Sequence, residues 1–144
     1  MQTAGPAGHD PEEGMQMISK ILRVGVAALL TLSVAGAVPA LAKDGDVIRR
    51  GACSGASDWK LKLSPENGKI EVEYEVDSNK VGQTWRVKLF HDGDRFFVGT
   101  RQTAGASGSF EVRKVVANHS GTDDFRARAR NLGTGEVCGG SASF

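Results

Sequence analysis

Excess charge of either sign is missing from this sequence. Its 144 residues hold 18 Lys and Arg against 17 Asp and Glu, a formal net charge of +1. The balance excludes a strongly basic nucleic-acid protein and an acidic disordered tail. Cysteine is nearly absent too, and two Cys with three His cannot build a four-cysteine zinc site. No G-x-S-x-G elbow or comparable signature supports catalysis. A Ser-His-Asp set can be drawn on paper from His91 or His119. However, His91 reads as the flank of a hairpin turn and His119 as a loop residue. The carboxylate pairs Asp44/Asp46 and Asp92/Asp94 fall short of the six or more oxygens of a calcium loop. They read instead as a flexible lead-in and a hairpin turn, and Asp123-Asp124 as the opening of a strand. The Asn118-His119-Ser120 triplet is a chance match to a glycosylation site. No enzyme activity, metal or cofactor is expected. Internal repeats and low-complexity linkers are lacking, and no helical stripe follows residue 43.

What is there begins with an export signal. Residues 24–42 carry no charge, Lys20 and Arg23 precede them, and Ala40-Leu41-Ala42 closes the stretch. A positive start, an apolar middle and an A-x-A end are the parts of a secretory signal, with cleavage expected between Ala42 and Lys43. The stretch is about long enough to span a bilayer, but its Ala and Gly content and its A-x-A end argue against retention. Residues 1–14 carry Asp10, Glu12 and Glu13 and no Lys or Arg, which does not suit a signal's start. Translation from Met15 or Met17, or disorder of residues 1–14, is expected. The domain division is thus 1–42, leader and signal, and 43–144, a secreted domain. Outside the cytosol Cys53 and Cys138 are expected to pair. Closing so long a loop stabilises by about 4–5 kcal/mol in the chain-entropy model.

The exported part reads as strands. Trp59, Leu61 and Leu63 alternate with Lys60 and Lys62. Ile70, Val72, Tyr74 and Val76 alternate with Glu71, Glu73 and Glu75. The same period of two runs through Trp85, Val87 and Leu89; through Phe96 and Val98; through Phe110 and Val112; through Phe125, Ala127 and Ala129; and through Cys138, Gly140, Ala142 and Phe144. Turn chemistry separates the runs at Pro65 to Gly68, Asn79 to Gly82, Asp92-Gly93, Gly105 to Ser109, His119 to Gly121 and Gly133 to Gly135. The fold class is all-β: an antiparallel sandwich of about seven strands. A two-residue turn at Asp92-Gly93 would face Phe90 with Arg95, Leu89 with Phe96, Lys88 with Phe97 and Val87 with Val98. Leu89, Val87, Phe96 and Val98 would then point inward, and Arg86, Lys88, Phe90, Arg95 and Phe97 outward.

The segments Cys53 to Lys62 (CSGASDWKLK), Gly68 to Val76 (GKIEVEYEV), Gly108 to Asn118 (GSFEVRKVVAN), Phe125 to Asn131 (FRARARN) and Thr134 to Cys138 (TGEVC) resemble a group of small secreted actinobacterial proteins. The resemblance covers most of residues 50–144 and carries over no functional residue. The strand order also resembles fibronectin type III and immunoglobulin-like sandwiches, with Trp85 on the third strand. The cysteine pair departs from the antibody pattern, joining the N-terminal lead-in to the last strand and not the two sheets.

Fibronectin-like order would place the strands at 85–91, 95–101 and 124–130 in one sheet. Its solvent face would carry Arg86, Lys88, Arg95, Arg126, Arg128 and Arg130, with Phe90 and Phe97 among them. The opposite sheet would mix Glu71, Glu73, Glu75 and Glu111 with Lys60, Lys62 and Arg113. Basic side chains around aromatics suit an anionic polymer or an acidic protein. The alternatives are a merely solvated face, or a strand order that pairs the Glu and Arg rows and cancels the patch. The expected function is a secreted, non-enzymatic binding module, monomeric, with an anionic cell-envelope polymer or a protein as partner. Nucleic acid is not expected, nor membrane once the signal is cleaved. A carbohydrate- or cell-wall-binding module is the second reading. The inward positions of Trp59 and Trp85 count against sugar stacking.

Overall fold

A computed structural model of the chain describes residues 43–144. The signal segment, its cleavage site and the acidic leader lie outside the described residues. Eight strands follow in order: β1 (Val47–Ala52), β2 (Asp58–Glu66), β3 (Lys69–Asp77), β4 (Thr84–His91), β5 (Asp94–Gln102), β6 (Ser109–Ala117), β7 (Asp124–Asn131) and β8 (Val137–Ser143). They form two four-stranded sheets, ordered β1-β2-β3-β6 and β5-β4-β7-β8, and every pairing is antiparallel. This is the expected fibronectin-like order with one strand added at an edge.

Period-two alternation makes the core. Leu61 and Leu63 of β2, Ile70, Val72, Tyr74 and Val76 of β3, and Phe110 and Val112 of β6 face Trp85, Val87 and Leu89 of β4 and Phe125, Ala127 and Ala129 of β7. Burying each large apolar side chain contributes about 1.5–3 kcal/mol. Two tight hairpins set the registers. Asn67-Gly68 joins β2 to β3 with φ of 50° and 74°, and Asp92-Gly93 joins β4 to β5 with φ of 50° and 89°. Positive φ at both positions is the mirror-image turn whose twist suits paired strands, and Asx-Gly tolerates it best.

The structure departs from the sequence expectations in four places. First, the sandwich of about seven strands is resolved into eight, because the lead-in contributes one. Val47–Ala52, grouped with the lead-in, pairs along β2 from Val47↔Leu63 to Ala52↔Asp58. Asp44 to Asp46 is likewise ordered: the Lys43 amide donates to Asp46 Oδ2 at 2.8 Å, and the Asp46 amide donates to the Lys43 carbonyl at 2.9 Å. Second, Pro65 and Glu66 belong to β2 and not to the turn. Pro65 lies beyond the last β1 partner, so its missing N–H leaves no ladder bond unmade. Third, a bulge breaks the β4–β5 register after Phe90↔Arg95, giving Leu89↔Phe97 and Lys88↔Val98. Phe96 becomes the extra residue. Phe97 therefore turns inward beside Phe96, and Val98 turns outward, 43% exposed. Fourth, the Cys53–Cys138 bond forms as expected, but because Cys53 directly follows β1 it joins the two sheets and not a loose lead-in to the last strand.

The Cys53–Cys138 edge is closely built. The Ser54 amide donates to the Val137 carbonyl at 2.8 Å, and the Val137 amide donates to Ser54 Oγ at 2.9 Å. Trp59 packs between Gly51 of β1 and Gly140 of β8. A Cβ at Gly140 would come 2.0 Å from the indole, so only glycine admits the ring there.

Candidate functional site: the basic face of one sheet

Ladder register and alternation together decide which charges share a surface. Across β4 and β7, Arg86 lies opposite Arg130, Lys88 opposite Arg128, and Phe90 opposite Arg126. Arg95 of β5 lies opposite Phe90 on its other flank. Side chains at paired positions point the same way, so six cations and Phe90 share the outer face. Arg86, Arg95, Arg126, Arg128 and Arg130 are exposed, and Lys88 is half-buried. Phe97 does not belong to this face. It sits at the open side of the sandwich, with Lys114 of β6 and Arg101 of β5 over its ring at 5.0 and 5.2 Å. The aromatic that remains, Phe90, carries the Arg126 guanidinium 4.3 Å from its ring centre. That contact holds Arg126 over the sheet and covers the ring.

The floor beside the arginine row is low. Gly139 and Ser141 of β8 face Arg128 and Arg126 on the outer side, and neither has bulk to fill the space. The result is a groove of about 910 Å³ along β7 and β8, with Arg86, Lys88, Arg126, Arg128 and Arg130 at its side and Leu132 at its end. Gly139 is required for a second reason: a Cβ there would lie 2.4 Å from the Ala127 carbonyl oxygen.

The two sheets differ in how their charges are met. On the outer face of β2-β3-β6, Lys60 pairs with Glu75, and Lys62 with Glu73 at 3.3 Å and Asp46 at 3.5 Å. Arg113 pairs with Glu71 at 3.4 Å, with Glu73, and with Glu111 at 3.6 Å. Among the described residues, none of Arg86, Lys88, Arg95, Arg126, Arg128 and Arg130 lies within ion-pair distance of a carboxylate. The strand order that would cancel the two rows is not adopted.

Sequence reasoning passed over a second grouping. His91 at the end of β4, Asp92 in its turn, and His119 and Asp123 in the β6–β7 connection converge at one end of the sandwich. Up to 32 residues separate them along the chain, and only the sheet topology brings them together. Comparison with known proteins finds no matching family model, curated protein or solved structure.

Proposed function

We propose that this chain is a secreted binding module, not an enzyme, and that the outer face of β5-β4-β7-β8 holds an extended anionic ligand such as a cell-envelope polymer. One observation carries the reading: cations stand directly opposite cations across the β4–β7 ladder without a carboxylate to meet them. Such pairs cost stability, and a polyanion lying along the groove would offset that cost. The groove is open to solvent along β7 and β8, which lets a linear chain enter and leave it. Export is supported by the charge and A-x-A pattern of residues 20–42 and by the Cys53–Cys138 bond. Among the described residues, no helix is long and apolar enough to cross a membrane. Neutral-sugar stacking is less well supported, because Trp85 is fully buried, Trp59 is wedged between glycines, and Phe90 lies under Arg126.

The test is co-sedimentation of the secreted protein with purified envelope, and with its extracted anionic polymer, at low and high salt. Binding should weaken with salt, since exposed charges are screened within about 8–10 Å at physiological ionic strength. It should be lost in the Arg126→Glu/Arg128→Glu double variant, whose fold exposed substitutions leave nearly unchanged. Salt-independent binding retained by the double variant would end this reading. N-terminal sequencing of the same material should begin at Lys43, and an intact N-terminus in a membrane fraction would overturn the signal.

A further inference from the structure

We propose that His91, Asp92, His119 and Asp123 form a binding site for a tetrahedral divalent transition-metal ion of the zinc class. Two ring nitrogens and two carboxylate oxygens alternate around one centre. Asp123 Oδ1 contacts His91 Nε2 and lies 3.5 Å from His119 Nδ1. Asp92 Oδ2 lies 2.9 Å from His119 Nδ1 and 3.4 Å from His91 Nε2. All four atoms fall within 4.8 Å of one another. A tetrahedral zinc with bonds of about 2.0–2.2 Å spaces its ligand atoms about 3.3 Å apart, so the four donors stand close to the spacing such an ion needs.

The chemistry of the set narrows the ion. Calcium takes six to eight oxygens, whereas two imidazoles select zinc and its neighbours. Two carboxylates and two neutral imidazoles would together balance a double positive charge, and metal ligation requires those forms.

The framework holds three of the four donors. The Asp123 side chain is 0% exposed, and both its oxygens accept the His119 amide at 3.2 Å. His91, 8% exposed, is clamped with its ring 4.3 Å from Phe125 on one side and 4.5 Å from His119 on the other. Asp92 sits in the left-handed turn, where its Oδ1 accepts the Asp124 amide at 2.9 Å and leaves Oδ2 facing the histidines. His119 is the movable donor. It is 56% exposed, and its ring lies parallel to His91 within 8°. Loading turns that ring so that the Nδ1 lone pair points at the common centre. The ion would staple the β4–β5 turn to the connection between the two sheets.

The test is calorimetric titration of the untagged, chelator-treated chain with zinc chloride, alongside thermal melts with zinc and with EDTA. One zinc per chain and a raised melting temperature are expected, with calcium giving neither. His119→Ala alters an exposed ligand and should melt like the parent in EDTA; Asp92→Asn keeps the oxygen that accepts the Asp124 amide but loses the charge, so its zinc-induced shift is read against its own melt in EDTA. Each should weaken zinc binding at least about tenfold, since changes even outside the ligand shell cost that much. Absence of both heat and a melting shift overturns the site, as does zinc uptake that these two substitutions leave unchanged.

Discussion

Arg86 and Arg130 face each other across the β4–β7 ladder on the solvent side, both exposed, with no carboxylate within ion-pair distance among the described residues. Like charges directly opposite in a sheet are destabilising, and opposite charges contribute roughly 0.2–1 kcal/mol. Arg130→Glu is therefore expected to stabilise the domain by about that amount while weakening attachment to the anionic ligand. Urea denaturation and envelope binding on the same variant check both halves. A stability loss would show that Arg130 has a structural partner.

Removing the inter-sheet bond should act mainly on the unfolded chain. Cys53 and Cys138 are 85 residues apart, and releasing a loop of that size costs about 4–5 kcal/mol in the chain-entropy model. Cys53→Ser should show this as a lower denaturation midpoint, and reduced parent protein should match it. Two free thiols titrated in the unfolded parent would contradict the pairing.

Gly140→Ala should be costly for so small a change. The new methyl would collide with the Trp59 ring, which has no room to retreat past Gly51. Overpacking of this kind costs typically about 1–3 kcal/mol. Trp59 would be displaced toward solvent, so its emission should shift to the red. A parent-like spectrum and midpoint would show that β8 yields instead.

Acid should weaken the fold partly through Asp46. Burial alone would raise its pKa, but the Ser64 hydroxyl, the Lys43 amide and the Lys62 ammonium outweigh burial and hold it below the ordinary 3.8. A carboxyl lowered on folding stabilises at pH above its unfolded value, and that contribution disappears as pH falls through the depressed value. Stability should thus decline below about pH 4, and Asp46→Asn should make the decline shallower. Asp92, held low mainly by the Asp124 amide, would retain its own share. Denaturation midpoints between neutral pH and pH 2 would measure both slopes.

The legible part of this fold is the part that local chemistry decides. Leu61, Val72, Val87 and Ala127 alternate with charged residues, so their faces follow from the period of two. Asp92-Gly93 likewise declares its own turn. Position Phe96-Phe97 defeats the same reasoning, because either aromatic satisfies the pattern and the bulge places both inward. The period of two alone therefore assigns Phe97 to the basic face and Val98 to the core. β1 was hidden for another reason: in VIRRGA a charged pair interrupts the alternation, and the strand owes its order to β2 and the Cys53 bond. The basic face was readable because each arginine row lies within one strand, and the topology had only to set two rows side by side. The His91–Asp123 grouping was not, since no local pattern links residues 32 apart.

The Cys53–Cys138 bond also decides how the domain bears tension. A pull on its two ends enters at β1 and leaves through β8, and the sulfur bridge carries it past the chain between Cys53 and Cys138, which are 85 positions apart. Only the flanks can pay out, about 50–60 Å at full extension. Reduction would add roughly 280–300 Å, a difference that single-molecule stretching resolves directly. Oxidised, the sandwich behaves as a nearly inextensible link whose core and basic face keep their shape under load.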